Sequence, residues 1–251
     1  ASRSPGKVGY EITRNLVAGG FAGPIYLINP NADEIEGLAC VGSLSEIDPA
    51  PDLVMIVLPA PNVPEAMQQC AKAGVKAVCI ITAGFKEVGE DGAMLEAQVV
   101  EIARRHRIRV LGPNCLGLVV PASKLNASFG SDLPQPGGIG YVSQSGALLT
   151  AILDRAETAG IGFSKLVSIG NKADIDELDM IAALGRDRDT TVIAGYLESI
   201  GQGDQFVREV EQISNNKPII LLKAGGTEAG ARAASSHTGS MVGSESVYDS
   251  A

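Results

Sequence analysis

The histidine best placed for chemistry is His237, which stands near the end of the 251-residue sequence. In the run Ser235-Ser236-His237-Thr238-Gly239 its neighbours are small, so the sequence predicts a loop in which an imidazole can approach backbone amides. A neutral imidazole nitrogen is a nucleophile near pH 7 and can accept a phosphoryl group. An exposed loop histidine without a chemical role explains the same residues, and both interpretations stay open at this point.

Glu198 is the carboxylate best placed to assist such a histidine. It follows the apolar run of residues 192–197 and therefore falls at the carboxyl end of a predicted strand. A carboxylate on the second ring nitrogen fixes the tautomer of a reacting imidazole, whereas the alternative is a solvated loop residue. His106, in Arg104-Arg105-His106-Arg107, is instead expected to complement the dipole at a helix end.

Two further loops combine small residues with the start of a predicted helix. Ser143-Gln144-Ser145-Gly146-Ala147 follows a strand, and the amides at a helix N-terminus bind anions. A serine N-cap accounts for one serine of this run and leaves the other serine and the glycine unexplained. The opening run, residues 2–9, predicts either a phosphate-binding turn or a serine-capped helix with proline in its first turn.

Three other predicted strands end in runs that contain glycine or proline: residues 58–61, 82–85 and 112–117. The prolines of the first run remove amide donors and hold the chain extended, which suits an apolar wall for an adenine or a pantetheine. The other two runs, taken alone, are typical of tight turns.

The elements that must position these loops form two α/β units in series. Short β-branched runs alternate with amphipathic segments, a pattern typical of parallel strands joined by crossover helices. The predicted strands are residues 25–29, 53–58, 75–82, 109–111, a weaker 118–120, then 139–142, 165–169, 191–197 and 218–223. The helices predicted in the first half are residues 6–18, 63–73 and 92–107. Ligands of such sheets bind beyond the carboxyl ends of the strands, where these loops fall.

Residues 121–138 lose the alternation and gather proline, glycine, serine and asparagine, which indicates a domain boundary. We therefore predict a Rossmann-like domain over residues 1–125 and a flavodoxin-like domain over residues 126–251. The net charge of −9 and pI near 4.8 argue against a nucleic-acid surface. No apolar run is long enough for a membrane span. The four cysteines show no CxxC spacing, which favours a reduced, cytoplasmic protein without disulfides.

Taken together, these loops resemble those of the NDP-forming acyl-CoA synthetases, a superfamily that includes the alpha subunit of succinyl-CoA synthetase. The resemblance covers nearly the whole chain and is greatest to the branch of ADP-forming acetate–CoA ligases. The matching runs, in the family's order, are residues 4–9, 29–30, 112–117, 143–147, 196–198 and 236–239.

The resemblance implies an enzyme part that binds coenzyme A and carries a phosphohistidine, with acetate as the expected acid. His237 matches the phosphorylated histidine, Glu198 is implied to orient its ring, and Ser145 with Gly146 to receive phosphate. The implied CoA contacts are Ser2, Arg3, Ser4, Pro5, Gly6, Asn31, Pro59, Ala60, Thr82, Ala83, Gly84, Asn114 and Cys115. ATP or ADP and Mg²⁺ are expected on an ATP-grasp partner, fused or separate, in a homo- or hetero-oligomer, and no metal is expected on this chain.

Two other functions compete with this prediction. One is a CoA-sensing regulatory module of a protein acetyltransferase of the GNAT type, because some of those enzymes carry a similar but catalytically silent pair of domains. The presence of both His237 and Glu198 favours the enzyme. The other is a dinucleotide-binding oxidoreductase, which is disfavoured because no G-x-G-x-x-G is present and Asn29-Pro30-Asn31 stands where an acidic residue would close the second strand.

Overall fold

The computed structural model describes residues 1–224, so His237 lies outside the described residues. Its strands are β1 (Leu27–Ile28), β2 (Glu34–Ile35), β3 (Leu38–Val41), β4 (Leu53–Ile56), β5 (Ala77–Ile80), β6 (Arg109–Leu111), β7 (Gly117–Val120), β8 (Leu125–Ser128), β9 (Pro136–Ser143), β10 (Phe163–Ser168), β11 (Val192–Leu197) and β12 (Ile219–Lys223). Its α-helices are α1 (Val8–Gly19), α2 (Val63–Ala73), α3 (Glu90–His106), α4 (Gly146–Ala159), α5 (Glu177–Arg186) and α6 (Gly203–Ser214).

The amino-terminal half contains two three-stranded sheets. In one, β3 lies between β1, which is parallel to it, and β2, which is antiparallel. In the other, β4, β5 and β6 are all parallel. Helices α2 and α3 cover this second sheet and bury Val63, Met67 and Val99 in a common apolar cluster. The parallel strands and crossover helices agree with the α/β class predicted from the sequence.

The carboxyl-terminal half contains a six-stranded sheet in the order β12-β11-β9-β10-β7-β8. The four strands from β12 to β10 are parallel, as the flavodoxin-like pattern predicts. At the other edge, β7 runs antiparallel to β10 and forms an antiparallel pair with β8. The sheet is therefore mixed rather than wholly parallel.

The β7–β8 pair corrects two details of the sequence prediction. The sequence predicts a weak strand of the first half at residues 118–120, but these residues lie in β7, which belongs to the six-stranded sheet. That sheet therefore begins before residue 125. The segment 121–138 was expected to be irregular, yet it contains β8. Asn126 and Ser128 are buried there, and the Ser128 hydroxyl donates to Asn126 Oδ1 at 2.6 Å. Because internal hydrogen bonds satisfy these polar side chains, the strand needs no apolar alternation.

Apolar contacts and one ionic cluster hold the two halves together. A single buried cluster contains Ile12 of α1 and Cys79 of β5 together with Val142 of β9. At the surface, the Arg109 guanidinium pairs with Asp174 at 2.9 Å and with Asp179 at 2.7 Å. No helix within residues 1–224 is long and apolar enough to cross a membrane.

Candidate functional site: a cleft between the two halves

A cleft of about 880 Å³ lies between the two halves of the molecule. Its walls come from the opening turn, the carboxyl ends of β4 and β5, the loop after β6, the start of α4, and the loops that follow β10 and β11. This is the edge at which ligands of parallel sheets bind. Within the described residues, no group of His, Cys, Asp and Glu side chains is arranged to hold a metal ion.

The opening turn leaves the start of α1 accessible. Lys7 occupies the N-cap position, and no side chain among the described residues caps the helix there. The alternative of a serine-capped helix is therefore wrong. Ser2, Ser4 and the residues from Lys7 to Gly9 line the cleft. The start of α1, where a helix favours an anion, therefore lies at the cleft wall.

The turn after β5 is held from behind by Glu87. The Oε1 atom of Glu87 accepts hydrogen bonds from the amides of Gly84 at 2.6 Å and Phe85 at 3.2 Å. Its Oε2 atom accepts one from Asn171 Nδ2 at 2.6 Å. Burial alone would raise the pKa of Glu87, but these hydrogen bonds lower it below its usual value. Glu87 is thus an anion that orders the turn on which Thr82 and Ala83 line the cleft.

Asn171 links the two halves at the floor of the cleft. It comes from the loop after β10, is 6% exposed, and donates to Glu96 at 2.9 Å as well as to Glu87. Its Oδ1 atom accepts from Asn114 Nδ2 at 3.3 Å. Asn114 has φ of 56°, the left-handed conformation that asparagine tolerates. The predicted CoA contact at Asn114 is therefore oriented by the second half of the chain.

The thiol of Cys115 faces the core. Its Sγ atom donates to Ile80 O at 3.3 Å and lies 3.7 Å from the Sγ of Cys79. The hydrogen bond with Cys115, together with burial, raises the pKa of Cys79 well above its usual value. Both cysteines are free, as the sequence predicts. Cys115 lines the cleft, but its polar atom is already engaged.

The start of α4 forms the opposite wall. Ser145 is the N-cap, and its hydroxyl accepts a hydrogen bond from the amide of Leu148 at 3.2 Å. The Ser143 hydroxyl is fully buried and bonds to the backbone of Ser145. Ser143 therefore shapes the turn, while Ser145 and Gly146 line the cleft. This arrangement assigns a separate task to each serine, which the N-cap interpretation alone did not.

Glu198 enters the cleft from the loop after β11. Its side chain is 6% exposed, yet its Oε2 atom has no hydrogen-bond partner within residues 1–224. Burial and the nearby Glu198 carboxylate raise the pKa of Tyr196. The alternative of a solvated loop carboxylate is therefore wrong, because Glu198 is buried. A buried acceptor without a partner is costly and uncommon.

Gln144 and Lys172 fix the backbone around Glu198. The Oε1 atom of Gln144 accepts from the amides of Glu198 at 2.6 Å and Ser199 at 3.0 Å. Lys172 Nζ forms an ion pair with buried Glu177 at 2.7 Å and donates to Ser199 O at 2.9 Å. Neither Gln144 nor Lys172 was a predicted site residue. The only sequence signal was the place of Gln144 in the run 143–147.

The cleft brings together most of the predicted site residues. Those on its wall are Ser2, Ser4, Pro59, Thr82, Ala83, Asn114, Cys115, Ser145, Gly146 and Glu198. Those beside it, which do not line it, are Arg3, Pro5, Gly6, Asn31, Ala60 and Gly84. Arg3 is exposed, and its guanidinium reaches Asn31 O at 3.5 Å. For both sets of residues, the contacts with CoA stay predictions.

Comparison with known proteins shows the family to which the chain is related. Residues 1–121 match the family "CoA binding domain", and residues 136–251 match "Succinyl-CoA ligase like flavodoxin domain". The chain is 47% identical over its whole length to an "Acetate--CoA ligase [ADP-forming]" of Methanocaldococcus jannaschii and covers 35% of that protein. It is 44% identical to "Acetate--CoA ligase [ADP-forming] I subunit alpha" of Pyrococcus furiosus, again over its whole length, and covers 55% of it.

A solved structure is similar to this chain and aligns with 100% of it. It is the dinucleotide forming acetyl-coenzyme A synthetase 1 of Ca. Korarchaeum cryptofilum in complex with phosphate and ADP, with a TM-score of 0.95 and 45% identity. The chain covers 54% of that protein and thus spans between about a third and just over half of these relatives. On these matches, the chain belongs to the NDP-forming acyl-CoA synthetase superfamily, where it corresponds to the CoA-binding and succinyl-CoA ligase-like part.

Proposed function

We propose that the chain is the CoA-binding and phosphohistidine-carrying part of an ADP-forming acyl-CoA synthetase, with acetate the expected acid. The observation that carries this proposal is the buried Glu198 carboxylate, which leaves one oxygen without a partner within residues 1–224 and lines the same cleft as the start of α4. A buried carboxylate of this kind can accept the N–H of an imidazole and fix its tautomer. His237 is the residue that we assign to this place.

The reaction divides between the two walls of the cleft. Coenzyme A occupies the wall of the first half, at the opening turn and at Thr82, Ala83 and Asn114. Inorganic phosphate lies at the N-terminus of α4, where amides and the partial positive charge of the helix favour an anion. Attack of a phosphate oxygen on the thioester carbonyl breaks the carbon–sulfur bond and gives acyl phosphate and free CoA. Ser145 and Gly146 are the residues that we assign to phosphate.

The phosphoryl group then moves to the histidine. A neutral nitrogen of His237 attacks the phosphorus of the acyl phosphate, and the carboxylate leaves. The histidine next passes the phosphoryl group to ADP, which gives ATP and restores the free ring. Nucleotide and Mg²⁺ belong to an ATP-grasp part, which we propose as a fused domain or a separate subunit. The steps are reversible, so ATP can label the histidine. A cytoplasmic location is expected for an enzyme that uses these substrates.

The decisive experiment uses the full protein with its ATP-grasp part, Mg²⁺ and γ-labelled ATP. The proposal predicts acid-labile, alkali-stable labelled phosphate on the chain, which His237→Ala abolishes. His106→Ala is the matched control, because His106 lies at the end of α3, is exposed and does not line the cleft. Equal labelling of wild type and His237→Ala would refute the assignment. Tight CoA binding without any labelling or turnover would instead favour the CoA-sensing module.

A further inference from the structure

Lys223, the last residue of β12, is a charged side chain at a position where the strand pattern favours an apolar one. Ile219 and Leu221 pack against the buried cluster that joins the two halves. Because side chains alternate along a strand, Lys223 lies on the same face as these two residues and is half-buried there. A lysine on such a face is uncommon unless its charge has a partner. None of the roles proposed so far uses Lys223.

The register of the sheet places Lys223 beside the loop of Glu198. Lys223 pairs with Leu197, the last residue of β11, and the amide of Ala224 donates to Leu197 O at 2.8 Å. Glu198 follows Leu197 directly in the sequence. The Lys223 ammonium donates to Glu198 O at 3.1 Å and to Ala224 O at 2.6 Å. These two bonds tie the loop after β11 to the residue that follows β12.

The charges of Lys223 and Glu198 also act on each other. Burial lowers the pKa of Lys223 below its usual value, and the Glu198 carboxylate opposes this effect. The attraction is mutual, because a positive charge near a carboxylate favours its ionised form to the same degree. Glu198 needs such support, since its side chain is buried and burial disfavours a charged carboxylate.

Other titratable side chains also lie near the loop of Glu198. In the described residues they include Tyr196, Lys172, Glu177 and, at the start of α1, Lys7, which lines the same cleft. Lys172 and Glu177 form an ion pair at 2.7 Å, so their charges largely cancel. Tyr196 is neutral near pH 7, since burial and the Glu198 carboxylate raise its pKa. Lys223 therefore supplies a positive charge to Glu198 from within the sheet.

We propose that Lys223 is a positioning residue for phosphoryl transfer, whose ammonium keeps Glu198 a charged acceptor for the imidazole of His237. This inference rests on the proposed function, because it takes Glu198 as the partner of the histidine. A protonated Glu198 would lose the negative charge that polarises the ring. Lys223 is not among the described residues that line the cleft. It therefore acts through Glu198 and takes no part in bond making.

The test follows the rate of phosphohistidine formation from γ-labelled ATP across a series of pH values, in the full protein with its ATP-grasp part and Mg²⁺. Lys223→Gln keeps a hydrogen-bond donor and removes the charge, so Glu198 should bind a proton at higher pH. The ratio of wild-type to variant rate should rise to about tenfold as the pH falls along the acid limb, which corresponds to a shift of about one pH unit. At higher pH, on the plateau, the ratio should approach one. Lys223→Arg keeps the charge and should retain the wild-type profile.

Two controls separate an effect through Glu198 from general support of the fold. In a Glu198→Gln background the carboxylate is absent, so Lys223→Gln should no longer move the acid limb. Lys217→Gln should keep the wild-type profile, because Lys217 is also half-buried and donates to two main-chain carbonyls, those of Leu184 and Asp187. The dissociation constant of CoA should stay unchanged in all the lysine variants.

Four results would overturn the assignment of Lys223. They are an unchanged profile in Lys223→Gln, a rate lowered by the same factor at every pH, a shift that persists in the Glu198→Gln background, and an Lys223→Arg profile that matches Lys223→Gln. A rate lowered equally at every pH would mean that Lys223 supports only the fold. The absence of labelled histidine in the wild type would refute the proposed function instead.

Discussion

Behind the wall of the first half, Glu87 and Glu96 have all their carboxylate oxygens engaged by amides, by Asn171 or by Lys86. On the opposite wall, Glu198 leaves one oxygen without a partner in residues 1–224. A fully satisfied buried network gives a wall of fixed shape, which suits the binding of a large cofactor. An unsatisfied buried acceptor is a cost that a protein tolerates where a ligand or a reacting group will meet it. This difference supports the proposal that the wall of the first half binds coenzyme A and that the opposite wall carries the phosphoryl transfer.

The strongest test of this contrast is Glu198→Gln. The variant keeps the size of the side chain and removes the negative charge that stabilises a polarised imidazole. We expect phosphoryl transfer to His237 to slow on the order of 100-fold, a typical loss for an acid–base partner, and the dissociation constant of CoA to stay unchanged. Rapid-quench labelling and calorimetry measure the two effects. Glu211→Gln, on the exposed side of α6, is the control. A large loss of CoA affinity in Glu198→Gln would place Glu198 in the cofactor site.

Gln144→Ala tests whether the reacting wall depends on a positioning residue. The substitution removes the acceptor of two amides, those of Glu198 and Ser199. Leaving buried donors unpaired costs about 1–3 kcal/mol, so we expect a lower free energy of unfolding and a kcat reduced by about tenfold, with the KM for CoA unchanged. Gln68→Ala, exposed on α2, is the control. A raised KM for CoA with normal kcat would contradict the division of labour.

The sequence alone reveals some helices, strands and loops of this fold, but it does not reveal the contacts of Gln144. Helix α2 agrees with the predicted residues 63–73, and β6 with 109–111, because local periodicity determines such elements. The loops at the strand ends likewise reach one cleft, since parallel strands bring their carboxyl ends to one edge. By contrast, Gln144 and Glu198, which are in contact, lie 54 residues apart in the sequence. Such a contact leaves no local pattern.

The same limit explains the parts of the fold that were missed. Asn171 meets Glu87 and Glu96 across 84 and 75 residues, and nothing in the run after β10 indicates this meeting. The strand β8 was hidden because its inward side chains are polar and bond to each other. Strand prediction rests on apolar alternation, which this strand does not need.

Glu87→Ala tests the binding wall. It removes the acceptor of the Gly84 and Phe85 amides and one partner of Asn171. We expect the turn with Thr82 and Ala83 to loosen and the dissociation constant of CoA to rise about tenfold, which corresponds to roughly 1.4 kcal/mol. Glu65→Ala, exposed on α2, serves as the control. Phosphohistidine formation from ATP should stay at the wild-type rate. A slower rate in Glu87→Ala would contradict the proposal that Glu87 serves CoA binding and not phosphoryl transfer.

The pH dependence of stability gives a smaller and independent measure of the same network. The folded-state pKa of Glu87 is lowered by its hydrogen bonds, so its contribution to stability is present above the ordinary carboxyl pKa and is lost as the pH falls through the lowered value. The difference in unfolding free energy between wild type and Glu87→Ala should therefore be constant near neutrality and shrink in acid. Urea denaturation at a series of pH values measures it. A difference that grows as the pH falls would mean that the carboxylate is not stabilised by folding.

The smallest expected effect concerns the contacts that hold the two walls of the cleft in their relative positions. Arg109 pairs with Asp174 and Asp179 at the surface, but its side chain is 52% exposed, and solvent screens such pairs to less than about 1 kcal/mol. The buried cluster of Ile12, Cys79 and Val142 spans the same junction and excludes water, so it should dominate. Arg109→Met is thus expected to lower Tm slightly and to leave CoA affinity and phosphoryl transfer unchanged. If CoA affinity or the rate of phosphoryl transfer falls while Tm stays nearly constant, the ionic contact rather than the apolar core aligns the two walls of the cleft.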